Sequence, residues 1–239
     1  MPAYNAETDE MLCPDILNKE SYLKLKKRME VDSRTKMIFQ ANYHCVAISD
    51  NESKVFPISS LKRYTTFPPS EKDEQGDVIQ NWWVVSAIDT ADEGKDSFSM
   101  PITRVYGNRV YLIDAVFDQQ NLTLQEPEVI GKTKEHKISN FVIETNNFGA
   151  YFTRRIRELL PAVEIFGRYS KGNKMARILA NAGLIKLYFY FPENPSPALQ
   201  RLMNQTCKLM KTSTKEDDGP DSLALLSSYL EKYHGMFKE

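Results

Sequence analysis

The stretch "NWWVVSAIDTADEGKDSFSMPITRVYGNRVYLIDAVFD" (residues 81–118) decides how the chain is read. "NWWVVSAID" is rich in β-branched and aromatic residues and predicts a buried strand. "DSFSMPITRVYG" and "NRVYLIDAVFD" predict two more, with Gly107-Asn108 supplying a hairpin turn between them. Three strands on short connections predict an antiparallel meander. The first strand carries an anomaly. Its apolar run stops on Asp89 and gives way to Asp92, Glu93 and Asp96. An ionised carboxylate at the end of a buried strand is costly unless a positive charge meets it. Asp89 is either the solvated mouth of a strand, where Asp suits a turn, or a ligand for a cation.

Downstream the pattern alternates. Residues 122–137 predict a polar helix, and "NFVIETNNFG" (residues 140–149) then holds an unbroken Phe141-Val142-Ile143 run. Such a run marks a central strand covered on both faces. A helix is expected from about residue 150 to 160, then a strand in "AVEIFGRY" and a helix in "GNKMARILANAG". "LIKLYFY" (residues 184–190) predicts another strand, and "SPALQRLMNQTCKLM" and "DGPDSLALLSSYLEKY" predict two closing helices. Strands first, then alternating helices and strands, predict an α/β fold: one mixed sheet, a meander followed by parallel strands, flanked by helices.

Residues 1–75 read differently. One or two short helices are expected in "DILNKESYLKLKKRMEVDSRTKMIFQANYH", followed by a Pro-containing, charged stretch suited to a linker or an arm. The expected division is therefore 1–75 as arm and 76–239 as the main domain. The 239 residues are 41% hydrophobic and 26% charged, the balance of a soluble globular protein. No apolar run reaches the roughly 18–20 residues that cross a bilayer, and "MPAYNAETDE" lacks the basic and apolar regions of a secretory signal. Cys13, Cys45 and Cys207 are scattered without CxxC spacing, which suits free thiols rather than a disulfide or zinc framework. A net charge of −1 carries no global signature of nucleic-acid binding. A metal-using nuclease would mask basic patches with its own acids, so distribution matters more than the sum.

Three carboxylates share a position type. Asp89 ends the first strand, Glu144 ends "FVIE", and Asp221 falls in the first turn of the last helix. In open sheets, chemistry gathers outside the carboxyl ends of parallel strands. Oxygen donors without a required histidine suit Mg²⁺. Asp218 and Asp221 also suit a helix start on their own account. Spacing leaves open which of Asp217, Asp218 and Asp221 would touch metal.

In this order, "AIDTADEGKDSFS", "FVIETNNFG" and "DDGPDSLALL" resemble the three acidic motifs of the ribonuclease-H-like nuclease domain of phage terminase large subunits. "LCPDILNKESYLKLKKRMEVDSRTKMIFQANYH" is similar to the segment that joins their packaging ATPase to the nuclease. The resemblance implies a metal-dependent DNA endonuclease that cuts concatemeric viral DNA during packaging, in the host cytoplasm. It implies Asp89, Glu144 and Asp221 as the catalytic, metal-binding triad, with Asp218 and Asp96 as further ligand candidates. Two divalent cations, Mg²⁺ or Mn²⁺, would serve it, about 3.5–4 Å apart. Its implied partners are double-stranded DNA, a packaging ATPase domain, the portal and the small terminase subunit. No P-loop of the form G-x-x-x-x-G-K-[ST] occurs, so no ATPase is expected in this chain. The same acids would also suit a junction resolvase or transposase, and a non-catalytic module docking on DNA or portal would need no metal.

Basic residues follow Glu144. Arg154, Arg155 and Arg157 lie on the next predicted helix, and Arg168, Lys171, Lys174 and Arg177 follow. They are expected to contact phosphates without reading sequence, although a solvated helix face would look the same. Trp82 and Trp83 read as sheet packing, and His44, His136 and His234 show no ligand spacing.

Overall fold

The structure, a computed structural model, describes residues 3–5, 8–29, 39, 43, 53–68, 71–72, 78–79, 81–90, 97–119, 122–146, 148–211 and 216–237. The chain divides into two compact units, Met1–Ser53 and Lys54–Glu239.

In the first unit, β1 (Tyr4–Asn5) pairs antiparallel with β2 (Glu10–Met11), and α1 (Lys19–Met29) follows. Tyr22 of α1 is fully buried against Phe39 and Tyr4, with ring centroids 5.5 and 5.2 Å away. Tilted aromatic contacts supply the small core that composition alone did not reveal.

The second unit is built on a seven-stranded sheet. After β3 (Lys62–Tyr64) and a small ribbon of β4 (Glu71–Lys72) and β5 (Val78–Ile79) come β6 (Trp82–Ile88), β7 (Phe98–Tyr106) and β8 (Arg109–Asp118). Helix α2 (Leu122–His136), β9 (Asn140–Glu144), α3 (Gly149–Leu159), β10 (Glu164–Arg168), α4 (Lys174–Tyr188), β11 (Phe189–Pro192), α5 (Pro197–Lys208) and α6 (Asp218–His234) complete it. The strand order is β10-β9-β6-β7-β8-β11-β3. β6, β7 and β8 form the expected antiparallel meander, turned at Gly107 with φ +51°. β9 joins β6 in parallel with Ile143 opposite Ile88, and β10 joins β9 in parallel.

Period-two alternation explains how these strands serve both faces. Val85, Ala87 and Val142 point into one core with α4, α5 and α6; Val84, Ile88, Phe141 and Ile143 point into a second with α2 and α3. Burying each such side chain is worth about 1.5–3 kcal/mol, so both faces hold the sheet between its helices. A third connection is polar. Asp114 of β8 meets Lys132 at 2.6 Å and His136 at 3.0 Å from α2, and accepts from Ser196 Oγ at the start of α5. No helix of the described residues is long and apolar enough to cross a membrane.

Two elements depart from the sequence reading. "LIKLYFY" is not a strand in full: α4 runs on through Gly183 to Tyr188, and only Phe189–Pro192 is extended. Ile178, Ala182 and Ile185 are buried at helical spacing, so core packing overrides the glycine read as a stop. The compact boundary also lies earlier than residue 75. Val55, Phe56 and Leu61 enter the main core, and β3 pairs in parallel with β11. β3 has only three residues, two of them charged, which gave no strand signal.

Candidate metal centre

The parallel register of β6 and β9 sets the site. With Ile88 opposite Ile143, the next residue of each strand, Asp89 and Glu144, falls at the same level at the carboxyl end of the pair. Asp89 is held there by its backbone, which exchanges both hydrogen bonds with Ser99 at 2.9 and 3.0 Å. Helix α6 then crosses this end with its first turn. Ser222 Oγ meets Ser99 Oγ at 2.8 Å, the Ser97 N–H donates to Asp218 at 2.9 Å, and the Gly219 N–H donates to Gln205 at 2.6 Å. Asp221 is thereby driven to 1% exposure. One carboxylate oxygen from each of Asp89, Glu144 and Asp221 lies within 4.8 Å of the others.

The cleft above these acids has a volume of ≈ 230 Å³. Thr90, Asn146, Ser170 and Gly172 line it beside the carboxylates. Asn146 and Ser170 clasp each other reciprocally: the amide donates to the Ser170 carbonyl at 2.9 Å and its oxygen accepts from the Ser170 N–H at 3.0 Å. This joins the β9–α3 loop to the β10–α4 loop. Gly149 is required at the base of the first loop, because a Cβ there would fall 1.9 Å from the Glu144 carbonyl oxygen.

Two cations also point into the cleft. Lys174 lies 2.9 Å from Asp217, 3.2 Å from Asp218, and 3.6 Å from both Asp89 and Asp221. Arg177 grips Asp221 with two bonds, Nε at 2.9 Å and a terminal nitrogen at 2.5 Å, and reaches Glu144 at 3.5 Å. Burial pushes Asp89 well above its ordinary pKa, Lys174 opposes the rise, and the neighbouring Asp221 and Glu144 add to it. Burial also raises Asp221, against the pull of Arg177. Burial alone would lower Lys174, but Asp89, Asp221 and Asp218 more than reverse it.

These groups fit a divalent cation. Asp89 Oδ2 is buried and accepts no hydrogen bond, and Ser170 Oγ in the same cleft is likewise unpartnered. All nearby donors are hard oxygens, the set that Mg²⁺ and Mn²⁺ take. A second convergence, Asp114 with Glu135 and His136, does not fit in the same way. Both Asp114 oxygens are already engaged, one by the Ala115 N–H and Ser196 Oγ, the other by Lys132 and His136, so none is left over as Asp89 Oδ2 is.

Of the residues singled out in the sequence, Asp89, Glu144, Asp218 and Asp221 meet in one cleft, and Asp217 joins them. Asp96 lies outside the described residues. Arg154 and Lys171 are exposed; Arg157 donates to the Ile165 carbonyl at 3.1 Å; Arg168 is half-buried beside Glu144 in the register of β9 and β10. Arg155 pairs with Glu126 and Glu158 instead of facing outward alone. Lys174 and Arg177 share a helix face as their spacing predicts, but that face is turned onto the acids. Spacing fixes which residues are neighbours, not which way they look. Asn146 and Ser170 carried no sequence signal beyond being polar loop residues.

No family model matches the chain, and no curated protein matches it in sequence. Among solved structures, it is similar to the large terminase of a thermophilic bacteriophage, with TM-score 0.50 and 11% identity over 74% of this chain and 44% of that one. The chain thus spans less than half the length of that phage protein. It is also similar to the Mn-bound nuclease domain of the bacteriophage SPP1 large terminase (TM-score 0.49, 12% identity, 71% and 96% covered). A third is the inhibitor-bound human cytomegalovirus terminase nuclease domain (TM-score 0.49, 11% identity, 80% and 96% covered). At such identity the likeness is one of fold: the mixed sheet with helices on both faces is the ribonuclease-H-like architecture expected from the sequence.

Proposed function

We propose that this chain is a metal-dependent endonuclease that cuts double-stranded DNA, acting on concatemeric viral DNA during genome packaging. The observation that carries it is the meeting of Asp89, Glu144 and Asp221, three chain-distant acids, at the carboxyl end of adjacent parallel strands. Asp89, Glu144 and Asp221 would hold one or two divalent cations, with Asp218 next in reach. When bound, such ions activate a water and stabilise the leaving oxygen of a phosphodiester. The chain's own residues prepare that chemistry. The Ser99 ladder and the Ser99–Ser222 contact fix the carboxylates before any ligand arrives, and preorganised charge costs no reorganisation during reaction. Arg177 orients Asp221. Lys174 supplies a positive charge at the cleft floor that a scissile phosphate can share with the acids. A packaging ATPase domain, portal and small terminase subunit are the partners this reading implies.

A second reading has its own support. Lys174 and Arg177 already meet the acids, so the network balances much of its charge without metal. A non-catalytic module that docks on DNA or portal would need no more. Calorimetric titration with Mn²⁺ and plasmid cleavage in Mn²⁺ or Mg²⁺ separate the two. Wild type is expected to bind metal and cut, while folded Asp89→Asn and Glu144→Gln lose cutting by at least about 100-fold, the scale of a lost transition-state group. Cutting that persists in both variants would refute the site, and absence of metal binding would favour the docking module. A junction-resolvase or transposase activity would show instead as preference for branched or transposon-end DNA over plain duplex.

A further inference from the structure

At the opposite edge of the sheet, three separate segments bring cations together. β3 supplies Lys62 and Arg63, the end of α4 supplies Lys186, and the stretch around the end of α5 supplies Lys208 and Lys211. Lys54 joins them through its bridge to Met210 and the bond from the Val55 N–H to the Leu209 carbonyl. Lys62, Arg63, Lys208 and Lys211 are exposed. Among the described residues, no carboxylate forms an ion pair with Lys54, Lys62, Arg63, Lys186 or Lys208. Three of the heads are steadied by other means. Lys62 donates to the Leu187 carbonyl at 2.6 Å and lies 5.3 Å from the Tyr190 ring. Arg63 donates to the backbone carbonyl of Glu193 at 3.4 Å, not to its carboxylate, and Lys186 lies 5.7 Å from the Phe56 ring. Partial burial lowers the Lys186 pKa and the charge of Lys211 lowers it further, so these two cations are near enough to repel.

A chain of net charge −1 that gathers six cations on one edge, five of them without an ion-paired carboxylate among the described residues, is built to meet an external polyanion. We infer that this edge, Lys54, Lys62, Arg63, Lys186, Lys208 and Lys211, is a docking surface for the phosphate backbone of duplex DNA, separate from the acidic cleft. β3 lies four strands from β6, about 19 Å at the usual strand spacing. It would hold DNA without reading its sequence. The choice of DNA among polyanions rests on the nuclease reading; the charge surface does not.

The test is binding of a labelled 30-base-pair duplex by the full chain in EDTA, across a salt series, by fluorescence anisotropy. Arg63→Gln/Lys208→Gln/Lys211→Gln changes three exposed heads, and Lys54→Gln/Lys186→Gln is a second variant, each checked for wild-type melting. Each lost phosphate contact removes about 0.9 from the slope of log K against log salt, so the triple variant is expected to lose about 2–3. Two unrelated duplex sequences should weaken alike. An unchanged slope in both variants, even with lower solubility, would reduce the patch to protection of an edge strand. Equal binding of poly-glutamate, lost in the same variants, would make the occupant an acidic protein and overturn the DNA assignment. Asp89→Asn separates the two readings: a reduced slope in the patch variants with no metal-dependent cutting by wild type keeps the surface and rejects the nuclease. Cutting lost in Asp89→Asn with an unchanged patch slope does the reverse.

Discussion

At the residue scale, the cleft holds a competitor for its own ligand. Lys174 contacts four carboxylates that a divalent cation would also engage. Removing that ammonium takes a positive charge from Asp89, Asp217, Asp218 and Asp221 and leaves the cleft more attractive to metal. Lys174→Gln should therefore bind Mn²⁺ about tenfold more tightly by calorimetry, a difference of about 1.4 kcal/mol, while melting earlier in EDTA because buried charges lose their partner. Weaker or unchanged metal affinity would show that Lys174 supports the ligands rather than competing with them. The acids themselves were legible in the sequence, because a buried apolar run that stops on a carboxylate demands a charge partner. The lysine was not, since its position three residues before Arg177 is compatible with facing either solvent or cleft.

At the element scale, α4 shows how two local signals can conflict. Gly183 sits inside the helix, exposed, with nothing within 4 Å of where its Cβ would lie. Glycine there costs about 0.8–1 kcal/mol relative to alanine. Gly183→Ala should raise the melting temperature by about 2–4 °C in a unit of this size. A fall would mean that the helix does not continue through this position. The glycine misled the sequence reading for the same reason: it looks like a stop, and only burial of Ile185 one turn on from Ala182 reveals that the helix continues. The meander and the central strand were easier, because their alternation is set by pleat and by cover on both faces. The pairing of β3 with β11 was hidden, as a three-residue charged edge strand is specified by its neighbours.

At the scale of the whole molecule, two sets of acids pull stability in opposite directions with pH. Asp89 and Asp221 are held above the ordinary carboxylate pKa by burial. In the unfolded chain they ionise near pH ~3.9, so the folded chain retains protons that the unfolded one has released. Their contribution is full below about pH 4 and is lost as pH rises through the folded pKa. Asp114 works the other way. Burial alone would raise it, but Lys132, Ser196 and the Ala115 N–H hold it below its ordinary value, so its contribution is lost only in acid. Divalent metal favours ionised ligands. The melting temperature in EDTA should thus fall as pH rises above the ordinary carboxylate range, and the gain on adding Mn²⁺ should grow in the same direction. Metal at 100 times its Kd adds about 2.7 kcal/mol, or roughly 5–10 °C. A gain that did not vary with pH would exclude these two acids as the ligands.

The fastening of the first turn of α6 to β7 has a consequence in time. Asp89 and Glu144 are translated long before Asp221, and the serine pair that seats Asp221 cannot close until α6 has left the ribosome and docked. Under the proposed activity, a growing chain carries two thirds of its cutting machinery and none of its cutting power. The step that completes it is the docking of a single helix.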